Sequence, residues 1–245
     1  MNSFLAALTF LTQIPVRVKV DKKAWQSSPV WYPAVGLVIG ILLVVLYRVF
    51  SLIFPPEVTG MLVVTGWVLV TGGLHLDGLM DTADGLGSHR DRERMLEIMK
   101  DSRTGAMGVL AAILVLGMKV SAIASFSDAA WVPLMTAPII GRMALLAGIM
   151  CFPYLREKGL GHGLGEGVSQ KKWIFSLAFG AIAVGLCAGG RGILLVAGAT
   201  ILFFLLAKYM VKRLGGLTGD SYGTLAEVTE TGVLLLWVAI TGWGV

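Results

Sequence analysis

Gly72-Gly-Leu-His-Leu-Asp-Gly-Leu-Met-Asp-Thr-Ala-Asp-Gly-Leu-Gly87 begins where a membrane-length apolar run ends, and it carries Asp77, Asp81 and Asp84 at i, i+4 and i+7. On a helix turning about 100° per residue these three carboxylates lie within roughly 60° of one another, on a single face. Such a stack repels itself. At the C-terminal end of an apolar helix the helix dipole disfavours anions as well, so a cation has to compensate. Magnesium prefers a few carboxylates together with water and substrate phosphate, which makes phosphate chemistry at a membrane surface the first expectation.

The rest of the chain supplies the membrane. Hydrophobic residues make up 56% and charged residues 14%, with a mean hydropathy of +0.80, which excludes an ordinary soluble domain. Stretches of about 18 or more apolar residues predict about seven spans, near 33–54, 59–80, 105–126, 131–152, 173–189, 191–211 and 228–245. The expectation is an all-α, polytopic bundle forming one domain over residues 1–245. The apolar stretch from Phe4 to Ile14 precedes the first basic residue, Arg17, so it does not read as a cleaved signal. It is too short to cross and carries Thr9, Thr12 and Gln13 as a polar stripe before Pro15. These features predict an interfacial or re-entrant helix.

Basic residues sort between the loops. Arg17, Lys19, Lys22 and Lys23 precede the first span; Arg90, Arg92, Arg94, Lys100 and Arg103 follow the second. Arg156, Lys158, Lys171 and Lys172 follow the fourth, and Lys208, Lys212 and Arg213 the sixth. The opposite loops hold little beyond Arg48 and Arg191. By the positive-inside rule the N-terminus and the charged loops are cytoplasmic, in a cell (inner) membrane, with the C-terminus outside. The net charge of +5 then reflects topology. No basic stripe interleaved with aromatics points to nucleic acid.

Smaller features complete the reading. Trp25, Trp31 and Tyr32 read as an aromatic belt before the first span, and Gly36 with Gly40 as a helix-packing pair. Cys151 and Cys187 read as small buried packing residues. Residues 91–100 form a short amphipathic helix with Met95, Leu96 and Met99 on one face and Ser88 as N-cap. Lys100-Asp-Ser-Arg-Thr-Gly-Ala-Met-Gly108 opens the third span. It is either an anion-binding helix start offering the Arg103 fork or an ordinary start capped by Ser102 or Thr104.

Asp220, Thr224 and Glu227 repeat the i, i+4, i+7 spacing, so two acidic faces could meet at one site; Glu230 reads as a polar cap of the last helix. Lys119 and Arg142, inside the third and fourth spans, call for intramembrane acids as partners. The glycine-rich stretch around His162 could close over phosphates, but lacks the strand-turn-helix context of a nucleotide fingerprint.

Leu74-His-Leu-Asp-Gly-Leu-Met-Asp-Thr-Ala-Asp-Gly85, Asp101-Ser-Arg-Thr-Gly105 and Gly219-Asp-Ser-Tyr-Gly-Thr-Leu-Ala-Glu227, in that order among apolar spans, resemble the cobalamin synthase (adenosylcobinamide-GDP ribazoletransferase) family. The similarity runs through essentially the whole chain, including Pro33-Ala-Val-Gly36 and Glu93-Arg-Met-Leu-Glu-Ile-Met99. The resemblance implies adenosylcobinamide-GDP and α-ribazole, or its 5′-phosphate, as substrates, GMP as a product, and magnesium. The ribazole 3′-hydroxyl would attack the phosphorus attached to cobinamide.

On that basis Asp77, Asp81, Asp84 and Asp220 are the expected metal ligands, and Asp84, Asp220, Glu227 and Arg103 the catalytic set, with Asp220 or Glu227 as base. His75, Lys100, Asp101, Ser102 and Arg103 are the expected substrate contacts. Two other classes bear comparison. Asp81-Thr-Ala-Asp-Gly85 echoes the start of the CDP-alcohol phosphotransferase motif, but the Ala-Arg and the later Gly-xxx-Asp-xxx-Asp are absent. An ion-coupled transporter would hold its acids near the bilayer midplane, not at helix ends.

Overall fold

The computed structural model describes residues 2–17, 19–126, 129–156, 159 and 161–242, which form a helical bundle. Its helices are α1 (Asn2–Leu11), α2 (Lys22–Ser27), α3 (Tyr32–Ser51), α4 (Pro56–Thr71), α5 (Leu74–Gly87) and α6 (Arg92–Ile98). The series continues with α7 (Ala106–Ala124), α8 (Trp131–Cys151), α9 (Gln170–Ala188), α10 (Arg191–Leu214) and α11 (Gly219–Thr241). Among the described residues six helices are long and apolar enough to cross a membrane, or up to seven if the bent pair α4 and α5 is one span. The protein is a multi-pass membrane protein.

The expected second span is where the structure departs from the reading. α4 ends at Gly72, α5 starts after Gly73, and the two helices meet at 92°. Both glycines are left-handed, with φ of 63° and 67°, a conformation that costs a residue with a Cβ but not glycine. α4 is 16 residues long and α5 turns away from it to lie across the ends of other helices. Asp77 therefore sits in the first turn of a new helix, not the last turn of an old one. The dipole argument reverses sign there, since a helix N-terminus favours an anion.

α8 and α11 form the inside of the bundle. α8 has no distinct polar face, as suits a helix packed against several others. Gly36 and Gly40 let α3 approach it closely; a Cβ on Gly36 would fall within 3 Å of the backbone of Pro138 and Ile139. Outward-facing side chains such as Leu52, Phe175, Leu186 and Ile193 are apolar and exposed, the surface a bilayer covers.

α1 does not cross. It docks beside α2, with Phe10 edge-on to Trp25 at 4.8 Å, and its Thr9 and Thr12 hydroxyls donate back to the backbone carbonyls of Leu5 and Leu8. The polar stripe is thus largely self-satisfied. Tyr32 leaves the expected aromatic belt and is buried in the bundle, whereas Trp31 stays exposed at 41%.

The cysteine expectation is corrected: Cys151 is exposed at the end of α8 and Cys187 partly so, both on the outer surface. α6 buries Met95 and Met99 as its pattern predicts, but its N-cap is Asp91, which accepts from the Arg94 N–H. Ser88 instead donates to the carbonyl of Gly85 and closes α5.

Candidate functional site

α5 runs across the N-terminal ends of α11 and α7. Glycine is required where it meets α11: a Cβ on Gly78 would stand 2.8 Å from the Cα and carbonyl oxygen of Asp220, and one on Gly223 would stand 2.8 Å from the carbonyl of His75. The Thr224 hydroxyl donates across this seam to the Gly78 carbonyl at 3.2 Å. Asp220 thereby comes beside Asp77 and Asp81, although more than a hundred residues separate the segments. Gly78→Ala is expected to destabilise the protein by about 1–3 kcal/mol, because backbone atoms cannot rotate away from the added methyl. Thermal unfolding in detergent reads this directly, and a parent-like Tm would refute the seam.

Asp77 and Asp220 both line a cavity of about 320 Å³ between α1, α5, α8 and α11, together with His75, Tyr154, Arg156 and Tyr222. Leu155 donates to the Leu217 carbonyl at 2.9 Å and Leu217 to that of Pro153 at 2.8 Å. This short parallel bridge brings Arg156 against the start of α11, where its guanidinium donates to Asp220 at 2.6 Å and to the Met99 carbonyl at 3.3 Å. Gly159, Gly161 and Leu164 of the glycine-rich stretch close one side of the cavity, and Gly165 is anchored to α2 through the Gln26 carbonyl at 3.0 Å.

The charge balance of this corner is uneven. Asp81 is pushed up to about 6, first by partial burial and then by the neighbouring charges of Asp220 and Asp77, with Arg156 pulling the other way. His75 is held well below its usual value by burial and by Arg142 and Lys119 beyond it, and its buried Nδ1 has no protein partner. Among the described residues no three His, Cys, Asp or Glu side chains already converge as a finished metal site. The donor set is nevertheless hard, anionic and short of cations.

Asp84 and the following loop stand apart from the cavity. Its two oxygens accept from the backbone N–H groups of Gly105 and Gly108 at 2.6 and 2.8 Å, so Asp84 caps α7 from outside. Neither Ser102 nor Thr104 caps that helix, whose N-cap is Gly105. Lys100, Ser102 and Arg103 are exposed, and Arg103 pairs with Asp101 at 2.6 Å. That fork holds the Asp101 carboxyl down at about 2. None of these loop residues lines the cavity.

Glu227 also lies elsewhere. Lys119, on α7, reaches Glu227 at 2.7 Å and Glu230 at 2.8 Å, and the other oxygen of Glu230 pairs with Arg142 on α8. Lys119 and Arg142 thus find the intramembrane acids their positions call for. Glu230 is not a helix cap: it is completely buried and holds two cations. Glu227 does not line the cavity, and it is committed to Lys119.

Arg156, Tyr154 and Tyr222 are site residues that sequence reasoning passed over. Arg156 reads only as a loop charge, because nothing local announces the bridge that turns it toward Asp220. Tyr222 lies inside a quoted motif, and its stacking with Tyr154, at 5.9 Å and 20°, depends on that same bridge.

Comparison with known proteins identifies the family. No solved structure matches the chain. The chain is 45% identical over 242 residues to an adenosylcobinamide-GDP ribazoletransferase of Brevibacillus brevis, covering 97% of this chain and 98% of that one. Proteins of the same name from Pseudomonas fluorescens and Alkaliphilus metalliredigens are 42% and 40% identical; they cover 96% and 100% of this chain and are themselves 98% covered. The family profile for cobalamin-5-phosphate synthase matches residues 3–238, and the chain belongs to that family.

Proposed function

We infer that this membrane protein is a transferase that moves the adenosylcobinamide phosphate of adenosylcobinamide-GDP onto the 3′-hydroxyl of α-ribazole, or of its 5′-phosphate. The hydroxyl oxygen bonds to the phosphorus attached to cobinamide, the bond from that phosphorus to the bridging oxygen breaks, and GMP leaves. The observation that carries this reading is the meeting of Asp77, Asp220 and Arg156 on one cavity, in a chain whose relatives bear that enzyme name. In-line displacement at a diphosphate calls for such parts: carboxylates for a cation and a proton, and a guanidinium for phosphoryl oxygens.

Asp77 and Asp81 would hold magnesium, whose chemistry is to neutralise charge on the diphosphate. Asp220 is the acid left to take the hydroxyl proton. Arg156 binds phosphoryl oxygens, and Asp84 fixes α5 against α7. The test is direct: purified protein given adenosylcobinamide-GDP, α-ribazole and magnesium releases GMP and forms adenosylcobalamin. No GMP release under these conditions would overturn the reading.

The same reading places the N-terminus and the site at the cytoplasmic face of the cell (inner) membrane, supported by the one-sided loop charges. In a background lacking Cys151 and Cys187, single cysteines in the 86–100 and 156–171 loops are expected to label only from the cytoplasmic side. Labelling from outside intact cells would reverse the orientation.

A further inference from the structure

The proposed reaction brings two substrates of unequal size to one phosphorus, and two cavities of unequal character meet at one carboxylate. Asp77, with Phe10 and Leu74, lines the closed cavity of about 320 Å³. The same three residues line a more open groove of about 590 Å³ that runs along α1 and the Gly72–Gly73 break, with Thr9, Gln13 and Met80 among its walls. Resting on the reaction inferred above, we propose that the closed cavity is the α-ribazole site and the groove receives the corrinoid end of the donor, so that transfer takes place across Asp77.

Size separates the two substrates first. The closed cavity is at the lower end of the roughly 300–1,000 Å³ of small-molecule pockets, room for a nucleoside and not for a corrin macrocycle. The groove is larger and open on one side, and the Gln13 amide and Thr9 hydroxyl on its wall match the amide rim of a corrinoid.

Chemistry separates the aromatic candidates next. The dimethylbenzimidazole ring of α-ribazole has an apolar edge, whereas guanine carries donors and an acceptor that must be paired when buried. Leu11, Leu145 and Ile149 give the closed cavity an apolar wall, and the stacked pair Tyr154 and Tyr222 gives it a flat one. Among the described lining residues the charged groups are Asp77, Asp220 and Arg156, the acids brought together by the α5–α11 seam and the guanidinium by the Tyr154–Leu217 bridge. A ring held on the apolar and aromatic side presents its ribose to those charges.

Steady-state kinetics of purified protein in detergent test this, with both KM values measured. Tyr154→Ala is expected to raise the KM for α-ribazole ~10-fold, the loss of one stacking contact, and to move the KM for adenosylcobinamide-GDP less than about two-fold. Gln13→Ala is expected to raise the donor KM alone. The opposite split in either variant, with GMP release intact, would overturn the subsites while leaving the reaction standing.

Equilibrium dialysis of α-ribazole against the unaltered protein needs no turnover. The expected result is binding that excess guanosine does not displace; displacement by guanosine, or no binding, would refute the assignment.

Discussion

GMP release by the Asp81→Asn variant is expected to fall by about 10²- to 10³-fold, while the folded protein becomes more stable at neutral pH. The loss follows from the proposed role of Asp81 as a magnesium ligand, one turn from Asp77 on α5 and in the field of Asp220 and Arg156. The gain follows from linkage. Asp81 is raised to about 6 in the fold, above its value of 3.8 when unfolded, so holding it ionised costs folding free energy. That cost grows as pH rises from 3.8 towards 6 and is constant above; below both values it disappears. Asn removes the charge, so the Tm advantage of the variant is expected at pH 7.5 and absent near pH 3.5. Parent-like turnover at saturating magnesium would sink the role of Asp81, and a Tm difference independent of pH would sink the crowding argument.

Glu230→Ala carries the largest expected effect on stability, a loss of about 3–5 kcal/mol. Both oxygens of Glu230 are engaged, one by Lys119 at 2.8 Å and the other by Arg142, with every side chain concerned buried. Its removal breaks the one ion pair Arg142 makes among the described residues, leaving it only the more distant charge of Glu227; the Nε and Nη2 of Arg142 already lack a protein partner. Lys119 retains Glu227 and the face of Trp67, 4.2 Å away, so the damage concentrates on α8. The double variant Arg142→Met/Glu230→Leu is expected to recover most of the loss, because replacing a buried pair by apolar groups of similar size is close to neutral. Unfolding in detergent measures both. Equal losses in the single and double variants would show that volume, and not unpaired charge, is what Glu230 supplies.

Much of this protein is legible in one dimension. Apolar length announces the crossing helices, since a bilayer demands a fixed run of residues whatever their partners are. The i, i+4, i+7 acids and the two later motifs mark the helix ends that assemble near the site. The positions of Lys119 and Arg142 call for acids within the membrane, because charge there cannot stay unpaired.

The partners are another matter. Two adjacent glycines in an apolar run are compatible with a continuous helix, and only the packed bundle turns α5 through 92° and reverses the dipole at Asp77. Asp84 becomes the cap of a helix more than twenty residues away because α7 starts beneath it. Glu227 and Glu230 go to the cations of α7 and α8, and Arg156 reaches Asp220 because a two-residue bridge holds it there. Periodicity and hydropathy belong to a single segment and are written in it. The choice of partner depends on which helix ends approach one another, a property of the whole bundle that no segment contains.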